Sequence, residues 1–453
     1  MTDYTTQPLL FASADRRKVL ADFQGGDLTS DGGLPLLREV DRKIGLIDAL
    51  DAAIYDPRFQ PLVVHDQRTI LAQRVFALAA GYEDLNDHQT LRNDTLLQTL
   101  TDRQLKVGQN QGDPLSSPPT LCRLENRITR SDLVRISKVL VETFIASHAT
   151  PPEELVLDFD ATDDAVHGNQ EGRFFHGYYD HYCFLPLYVT CGQQLLVAYL
   201  RPANIDGAHH SRAILKLLVT RFRKVWPNVK IVLRADSGFC RWRLMRWCDR
   251  NNVDYILGLA KNEVLKRLAR RSMITARWQH RCTGLKQRLF EEFAYAAATW
   301  DRPRRVIAKA EHGEQGENPR FVVTSLPGEP QGLYDKLYCK RGDAENRIKE
   351  QQLGLFADRT SCHAFLANQF RVLLSAAAYV LVETLRRVGL AGTELADAQV
   401  TTIRVRLLKI GGRIVRSVRR IVIHLASGFP LRNLYQTVLR HLREWRCTPV
   451  PAP

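Results

Sequence analysis

No two of the nine cysteines stand in Cys-x-x-Cys spacing; they are scattered singly along the chain. That argues against a zinc ribbon or a disulfide framework and suits reduced thiols in a cytoplasm. Internal repeats and low-complexity tails are also missing. The opening residues, Met1-Thr-Asp-Tyr-Thr-Thr-Gln, lack the basic and apolar regions of a signal peptide, so a cytoplasmic location is expected. No long hydrophobic run occurs either. The most apolar stretch, Val372–Val382, covers 11 residues between Arg371 and Glu383, short of the roughly 20 that cross a bilayer, and reads as a core helix with no membrane partner. Acidic charge is in deficit: 49 Asp and Glu against 64 Lys and Arg leave +15 and a pI near 9.5. Apolar and charged fractions of 45% and 25% are those of an ordinary globular protein. The charge excess therefore points to a polyanionic partner, of which nucleic acid is the commonest. It is concentrated: from Ser361 onward the sequence holds 14 Arg and Lys against 4 Asp and Glu, so 14 − 4 = +10 lies in the last fifth.

A length of 453 residues allows two or three domains with substantial cores. Residues 1–150 have helical periodicity. Asp31-Gly-Gly-Leu-Pro opens a helix through Leu37, Val40 and Ile44, and Ile70–Ala80 forms another that Gly81 stops. Gln109–Pro119 is a Gly/Pro/Ser connector, after which Thr120 is the expected N-cap of a short helix carrying Arg123, Arg127 and Arg130. Such a helix after a turn could read DNA, or could simply pack with a solvated basic face.

From residue 151 to 260 strands and helices alternate. Leu155–Phe159 is a strand, Tyr182–Cys191 and Gln194–Leu200 a hairpin about Gly192, and Ser211–Val225 a helix stopped by Trp226-Pro227. Val229–Ala235, Arg241–Arg250 and Val253–Leu259 follow as strand, helix and strand. This order predicts an α/β fold, a ribonuclease H-like mixed sheet with helices on both faces. Residues 261–335 read as a β-rich insertion, 336–390 as the second part of the core, and 391–453 as a basic region. In the last, Thr401–Lys409 and Arg413–His424 are expected to form a hairpin with one arginine-rich face (Arg413, Arg416, Arg419, Arg420), followed by a helix Leu431–Trp445.

Three acids carry the chemistry. The strand Leu155-Val-Leu-Asp-Phe-Asp-Ala-Thr162 delivers Asp160 to its carboxyl end, and Lys230-Ile-Val-Leu-Arg-Ala-Asp-Ser-Gly238 places Asp236 just past an apolar run. Glu345 lies in a segment of helical character, Tyr338-Cys-Lys-Arg-Gly-Asp-Ala-Glu. Clustered carboxylates hold hard divalent cations, and two such ions about 3.5–4 Å apart activate the attacking oxygen and stabilise the leaving oxygen of a phosphodiester. Asp158 has the same parity as Asp160 and is a rival for the first position. His167, His176, His181, His209 and His210 make the region histidine-rich, but their spacings match no helical ligand pair.

The sequence resembles a DDE transposase of a bacterial insertion sequence, close to the thirteen-eighty group within the insertion-sequence-four superfamily. Segments that carry the resemblance include Ser30-Asp-Gly-Gly-Leu, Pro119-Thr-Leu-Cys-Arg-Leu-Glu-Asn, Asp160-Ala-Thr-Asp-Asp, Leu233-Arg-Ala-Asp-Ser-Gly-Phe and the Tyr-x2-Arg-x3-Glu pattern at Tyr338, Arg341 and Glu345. The Asp-x-Thr pattern favours Asp160 over Asp158. The superfamily's lysine falls on Gln352, and Lys349, one turn after Glu345, is a substitute. The resemblance implies that Asp160, Asp236 and Glu345 bind two Mg²⁺ ions, with Mn²⁺ as a replacement, and that Tyr338 and Arg341, on one face of the Glu345 helix, contact terminal phosphates. It further implies binding to inverted repeats, cut-and-paste transposition through the freed 3′-hydroxyl, double-stranded DNA as partner, a homodimer in the synaptic complex, and a nucleoid-associated location in a bacterial cytoplasm. A β-rich insertion would clamp the transposon end, with Trp300 as the candidate base-stacking residue, the alternative for it being a tryptophan of the core. The alternatives are a catalytically silent, transposase-derived DNA-binding protein and a ribonuclease H-like nuclease without strand transfer.

Overall fold

The computed structural model describes residues 8–102, 113–417 and 419–451; the start of the Gly/Pro/Ser connector lies outside them. At the amino end β1 (Leu9–Ala14) and β2 (Arg17–Ala21) form an exposed hairpin, and β3 (Leu28–Thr29) follows. Then come α1 (Pro35–Ile44), α2 (Leu46–Ala53) and α3 (Gln67–Ala80). Local chemistry sets their ends. Proline occupies the first turn of α1, where a missing N–H costs nothing. The Asp66 carboxylate accepts the Thr69 N–H (2.7 Å) to cap α3, which Gly81 ends at φ 98°. After α4 (His88–Leu91) and α5 (Thr95–Leu100), α6 spans Pro118–Arg127 and α7 Arg130–Ala146, the last opened by a Thr129–Asp132 capping box. Thr120 lies inside α6 rather than at its cap. Pro118 and Pro119, with preset φ and no N–H, take the first helical positions and move the cap back to Ser117.

The central sheet starts with β4 (Glu154–Ala161). A small three-stranded flap of β5 (Asp164–Ala165), β6 (Phe174–His176) and β7 (His181–Phe184) separates it from the hairpin of β8 (Leu187–Cys191) and β9 (Gln194–Tyr199). The single strand expected over Tyr182–Cys191 is thus two, divided at Leu185-Pro186, where proline cannot donate to a ladder. Next are α8 (Ser211–Val225), β10 (Lys230–Ala235), α9 (Trp242–Arg250) and β11 (Asp254–Leu259). The strand order β11-β10-β4-β8-β9, with β4, β10 and β11 parallel and β8 and β9 antiparallel, is the mixed order that the sequence predicts.

Residues 261–335 differ from expectation in two ways. They begin with helices, α10 (Glu263–Leu268) and α11 (Arg270–Thr283). Their long strands β12 (Gln287–Tyr295), β13 (Arg304–Gly313) and β15 (Arg320–Thr324), with the short β14 (Gly316–Glu317), extend the central sheet, because β15 pairs antiparallel with β11. The apolar residues Val306, Ile307, Phe321, Val322 and Val323 find their burial on the existing sheet.

After α12 (Pro330–Gly332), a wide turn with i→i+5 bonding, Leu333–Tyr338, precedes α13 (Arg341–Lys349). Next is α14 (Phe365–Thr384), which a further wide turn continues to Gly389. This 25-residue helix is more than twice the length of the apolar stretch visible in sequence, and by length and composition alone could cross a membrane. It is instead the centre of the fold, with 89% of its most apolar window buried. Its polar residues have internal partners: Gln369 bonds Leu200 N and Ala198 O, and Arg371 pairs with Glu125. The chain ends with α15 (Val400–Ile403), β16 (Gly412–Arg416), β17 (Ile421–Leu425) and α16 (Arg432–Glu444). Residues 400–408 are therefore helical, and the hairpin is the shorter pair β16–β17. Buried Ile403, Leu407 and Leu408 recur at helical spacing, and their burial overrides the alternation of Arg404, Arg406 and apolar residues.

The amino-terminal helices and α16 pack around α14 in one core, which also reaches Val166, Phe184 and Leu195 on the sheet side. At its heart, Glu125 of α6 is 2% exposed between Arg74 of α3 (3.6 Å) and Arg371 of α14 (3.2 Å). Removing one member of a buried charge network leaves the others uncompensated, so Glu125→Ala should cost roughly 3–5 kcal/mol in urea unfolding. A loss under about 1 kcal/mol would mean that the arginines are satisfied by carbonyl groups instead.

Candidate active site

Side-chain parity divides the sheet. Leu155, Leu157, Phe159, Ile231, Leu233 and Ala235 face one core. Val156 and Val232 face the other way, toward Tyr334 and Leu337 of the wide turn. Residues two apart share a face, so Asp158 and Asp160 on β4 and Arg234 on β10 also point to the side where α13 lies. Asp236 follows the end of β10. Its Oδ1 accepts the Gly238 N–H (2.9 Å), which fixes the carboxylate in a tight turn.

The three acids occupy one electrostatic site. Burial raises the pKa of the Asp160 carboxyl, the Arg341 guanidinium lowers it, and the negative charges of Asp236 and Glu345 raise it further; the balance leaves it at about 7. Arg341 stands between two of the acids, with Nη2 2.6 Å from Glu345 Oε1 and Nη1 3.7 Å from Asp160 Oδ2. The Asp160 and Glu345 side chains are 14% and 43% exposed, so the pocket opens to solvent on the Glu345 side. Among the described residues no three His, Cys, Asp or Glu are gathered closely enough to hold a metal ion as they stand. The donor set is nonetheless all carboxylate, which fits a hard divalent cation, and the mutual repulsion of the acids is what such an ion relieves.

Asp158 is engaged elsewhere. It is 2% exposed and held by Arg234 in a bidentate pair, Nε–Oδ1 2.5 Å and Nη2–Oδ2 2.7 Å. The sequence suggests that Tyr338 shares a helix with Arg341 and Glu345, but it does not. The wide turn ends at Tyr338, Cys339 and Lys340 form a turn, and α13 starts afresh at Arg341. Burial raises the pKa of the Tyr338 hydroxyl, which Arg341 counters. Gln352, in the position of the superfamily's lysine, donates to the Asp163 carbonyl (2.9 Å), while Lys349 is exposed at the end of α13.

The more distant candidates separate. Arg123 is exposed on α6, with Nη2 on Thr120 Oγ1 (3.1 Å). Arg127 is committed internally, to Gln67 Oε1 (2.5 Å) and Asp56 Oδ1 (3.2 Å), because α6 turns that flank onto the 56–67 segment. Arg413 is exposed on β16, and Arg419 and Arg420 are exposed in the hairpin turn. Arg416 projects to the opposite face from Arg413, toward Gln98 Oε1 (3.3 Å) and Asp27 Oδ2 (3.7 Å), since the two differ by an odd number of residues. The hairpin therefore has no single arginine face, and β16 is docked on β3. Trp300 is half-buried against Tyr295, with ring centroids 5.4 Å apart. The exposed tryptophan of that region is Trp278 on α11. His181 Nε2 pairs with Asp163 Oδ2 (2.9 Å), one histidine and one carboxylate rather than a metal cluster.

Sequence inspection missed Gly258 on β11. A Cβ there would lie 2.6 Å from Tyr338 Oη and 2.8 Å from Ser237 N, so only glycine lets the tyrosine and the Asp236 turn close over this strand. The signal was a glycine inside an otherwise apolar strand, Tyr255-Ile-Leu-Gly-Leu.

Among solved structures, the cryo-EM structure of the piggyBac transposase synaptic complex with hairpin DNA aligns with a TM-score of 0.44 and 11% identity, over 92% of this chain and 82% of that one. A search of curated proteins finds no match. The sequence pattern of the family described as Transposase DDE domain group 1 matches residues 11–447, and the chain belongs to that family of DDE transposases.

Proposed function

We propose that this transposase cuts DNA at the ends of its own mobile element and joins the freed 3′-hydroxyls to target DNA, using Mg²⁺ held by Asp160, Asp236 and Glu345. The observation that carries the reading is the convergence of these three acids, from two strand ends and one helix, on a single solvent-open site with Arg341 beside them. A bound divalent ion supplies Lewis-acid activation of the attacking oxygen and charge neutralisation at the phosphate. The chain's own residues do the rest. Gly238 orients the Asp236 carboxylate, Arg341 and Tyr338 offer a cation and a hydroxyl to phosphate oxygens, and the Asp163–His181 pair braces the loop after Asp160. Manganese would substitute for magnesium, since both accept carboxylate oxygens.

The bases nearest the cut would meet the flap of β5, β6 and β7 rather than Trp300. It follows directly on the Asp160 strand and exposes Phe174, Phe175, Tyr178 and Tyr182, with the Arg173 guanidinium 4.6 Å above the Tyr182 ring. Aromatic faces flanked by a cation suit unpaired bases. Two copies would act together on two ends, in the bacterial cytoplasm beside the nucleoid.

The deciding assay is cleavage and joining of a labelled duplex carrying the parent element's ends, in Mg²⁺ and in EDTA. End-specific binding without cutting would make the protein a silent binder. Cutting without joining to a second duplex would make it a nuclease. Exposed arginines should set the salt dependence: Arg413→Ala, Arg419→Ala and Arg420→Ala are each expected to reduce the slope of log K against log salt by about 0.9 if the arginine neutralises one phosphate. Arg127→Ala, already paired inside the fold, should leave the slope unchanged.

A further inference from the structure

The rival acid has a task of its own. In the parallel pair β4–β10, Asp158 and Arg234 are direct register partners. Each stands two residues before an acid of the site, Asp158 before Asp160 and Arg234 before Asp236. Their side chains are 2% and 7% exposed and meet through two parallel hydrogen bonds of 2.5 and 2.7 Å. The third branch of the guanidinium, Nη1, donates to the Leu337 carbonyl at 2.6 Å. Leu337 is in the last turn before the break at Cys339-Lys340, beyond which α13 carries Arg341 and Glu345. One buried arginine thus touches the first-acid strand, belongs to the second-acid strand, and grips the backbone that leads into the third-acid helix.

We propose that Asp158 and Arg234 form a positioning pair that locks Asp160, Asp236 and Glu345 in register with one another. The chemistry of the pair explains its composition. A planar guanidinium can engage a carboxylate bidentately and still present a further N–H to a carbonyl, which a lysine cannot do with one ammonium. An apolar pair would tie β4 to β10 equally well through packing, but would leave the Leu337 carbonyl without this donor. Apart from a partly exposed ion pair between Asp335 and Arg288 of β12 at its outer side, the wide turn rests on the sheet by apolar contact, Tyr334 and Leu337 against Val232, Ile256, Ile307 and Val322. Apolar contact is non-directional and tolerates sliding. The hydrogen bond supplies the direction. Both side chains are buried, so both act through the acids. The inference rests on the proposed catalytic reading for its consequence in cleavage, but not for its consequence in backbone order.

The test uses the full chain with Arg234→Lys, which keeps a positive charge beside Asp158, together with Asp158→Asn, Arg234→Gln and the double variant Asp158→Asn/Arg234→Gln. The first readout is hydrogen–deuterium exchange. In Arg234→Lys, exchange of segment 333–349 should rise at least about tenfold, while α3 and α14 stay protected. The second is Mn²⁺ binding followed by electron paramagnetic resonance, where the half-saturating concentration should rise roughly 10–100-fold, the range for residues that orient metal ligands. The third is single-turnover cleavage, expected to fall while the Kd for DNA stays within about twofold. The double variant should lose no more than the worse single one, as expected of residues that act as a unit.

Unchanged exchange in 333–349 for a folded Arg234→Lys protein would overturn the proposal, as would exchange that rises equally everywhere. If wild-type protein neither cuts DNA nor binds Mn²⁺ in a way that Asp236→Asn abolishes, the catalytic reading fails. The exchange result still decides whether the pair orders the helix.

Discussion

The Asp160→Asn protein is expected to fold and bind DNA while its Mg²⁺-dependent cleavage falls by roughly 10²–10³-fold or more, the scale for removing one preorganised electrostatic group from a reacting phosphate or carbonyl. Asparagine keeps the shape, so the Ala161 N–H that Asp160 Oδ1 accepts at 2.9 Å still has a partner. What is lost is one negative charge from a site whose purpose is to attract cations. The same carboxyl carries a pH signature. Burial first, then the charges of Asp236 and Glu345, hold its pKa at about 7 against the opposing pull of Arg341. Below pH 7 it is mainly protonated and a poorer ligand, so wild-type cleavage should climb between about pH 6 and 8, and metal binding near pH 6.5 should release protons. The sign for stability is the reverse of the usual aspartate. A folded pKa raised from 3.8 to about 7 means that the folded state holds the proton more tightly. Without divalent ions, stability should therefore decline as pH rises between those values, then level off. Asp160→Asn should make that decline shallower, because the buried carboxyls of Asp41 and Asp164, also raised, keep their own shares. Urea midpoints across this range, with and without Mg²⁺, would show it; equal slopes for the two proteins would place Asp160 outside the charged cluster.

Gly258→Ala is expected to have an effect of similar size without touching any charge. The added methyl would sit 2.6 Å from Tyr338 Oη, 2.8 Å from Ser237 N and 3.1 Å from the Asp236 carbonyl carbon. Two of these three are backbone atoms, so the relief must come from moving the turn that holds Asp236 or from displacing Tyr338. A shift on the order of 1 Å at a reacting centre costs about 10²-fold in rate, and overpacking of this kind costs roughly 1–3 kcal/mol of stability. Gly342→Ala is the control, since a Cβ there meets nothing within 4 Å, and alanine is the better helix former. Single-turnover cleavage of both variants at saturating DNA measures the difference. Equal rates for Gly258→Ala and wild type would show that the Asp236 turn and Tyr338 are not held where the fold places them.

Much of the site was legible before any fold was known. Apolar alternation marked β4 and β10, and a carboxylate just past an apolar strand stands out because burial there would be costly without a task. The helix Ser211–Val225 and the glycine stops at Gly81 and Gly192 follow from local rules of turn and cap chemistry, which need no tertiary partner. Charge composition pointed to a polyanion, and motif spacing to the family that the match over residues 11–447 shows.

Other features required the folded chain. Asp158 and Asp160 have identical parity and similar neighbours in sequence; only the presence of Arg234 across the β4–β10 ladder makes one a structural partner and leaves the other open to the site. Arg127 and Arg416 look like their exposed neighbours until Asp56, Gln67, Asp27 and Gln98 are brought beside them from distant segments. The strands of residues 287–324 join the main sheet because β15 finds the free edge of β11, a pairing that spans more than 60 residues and leaves no local trace. Segment 401–408 alternates arginine with apolar residues as a strand would, yet is helical because Ile403, Leu407 and Leu408 are buried at helical spacing. Period and local caps are properties of neighbouring residues, so most of the elements and the candidate acids can be read from the chain alone. Partnership, burial and the closing of Gly258 against Tyr338 join residues far apart along the chain, and they exist only once it has folded.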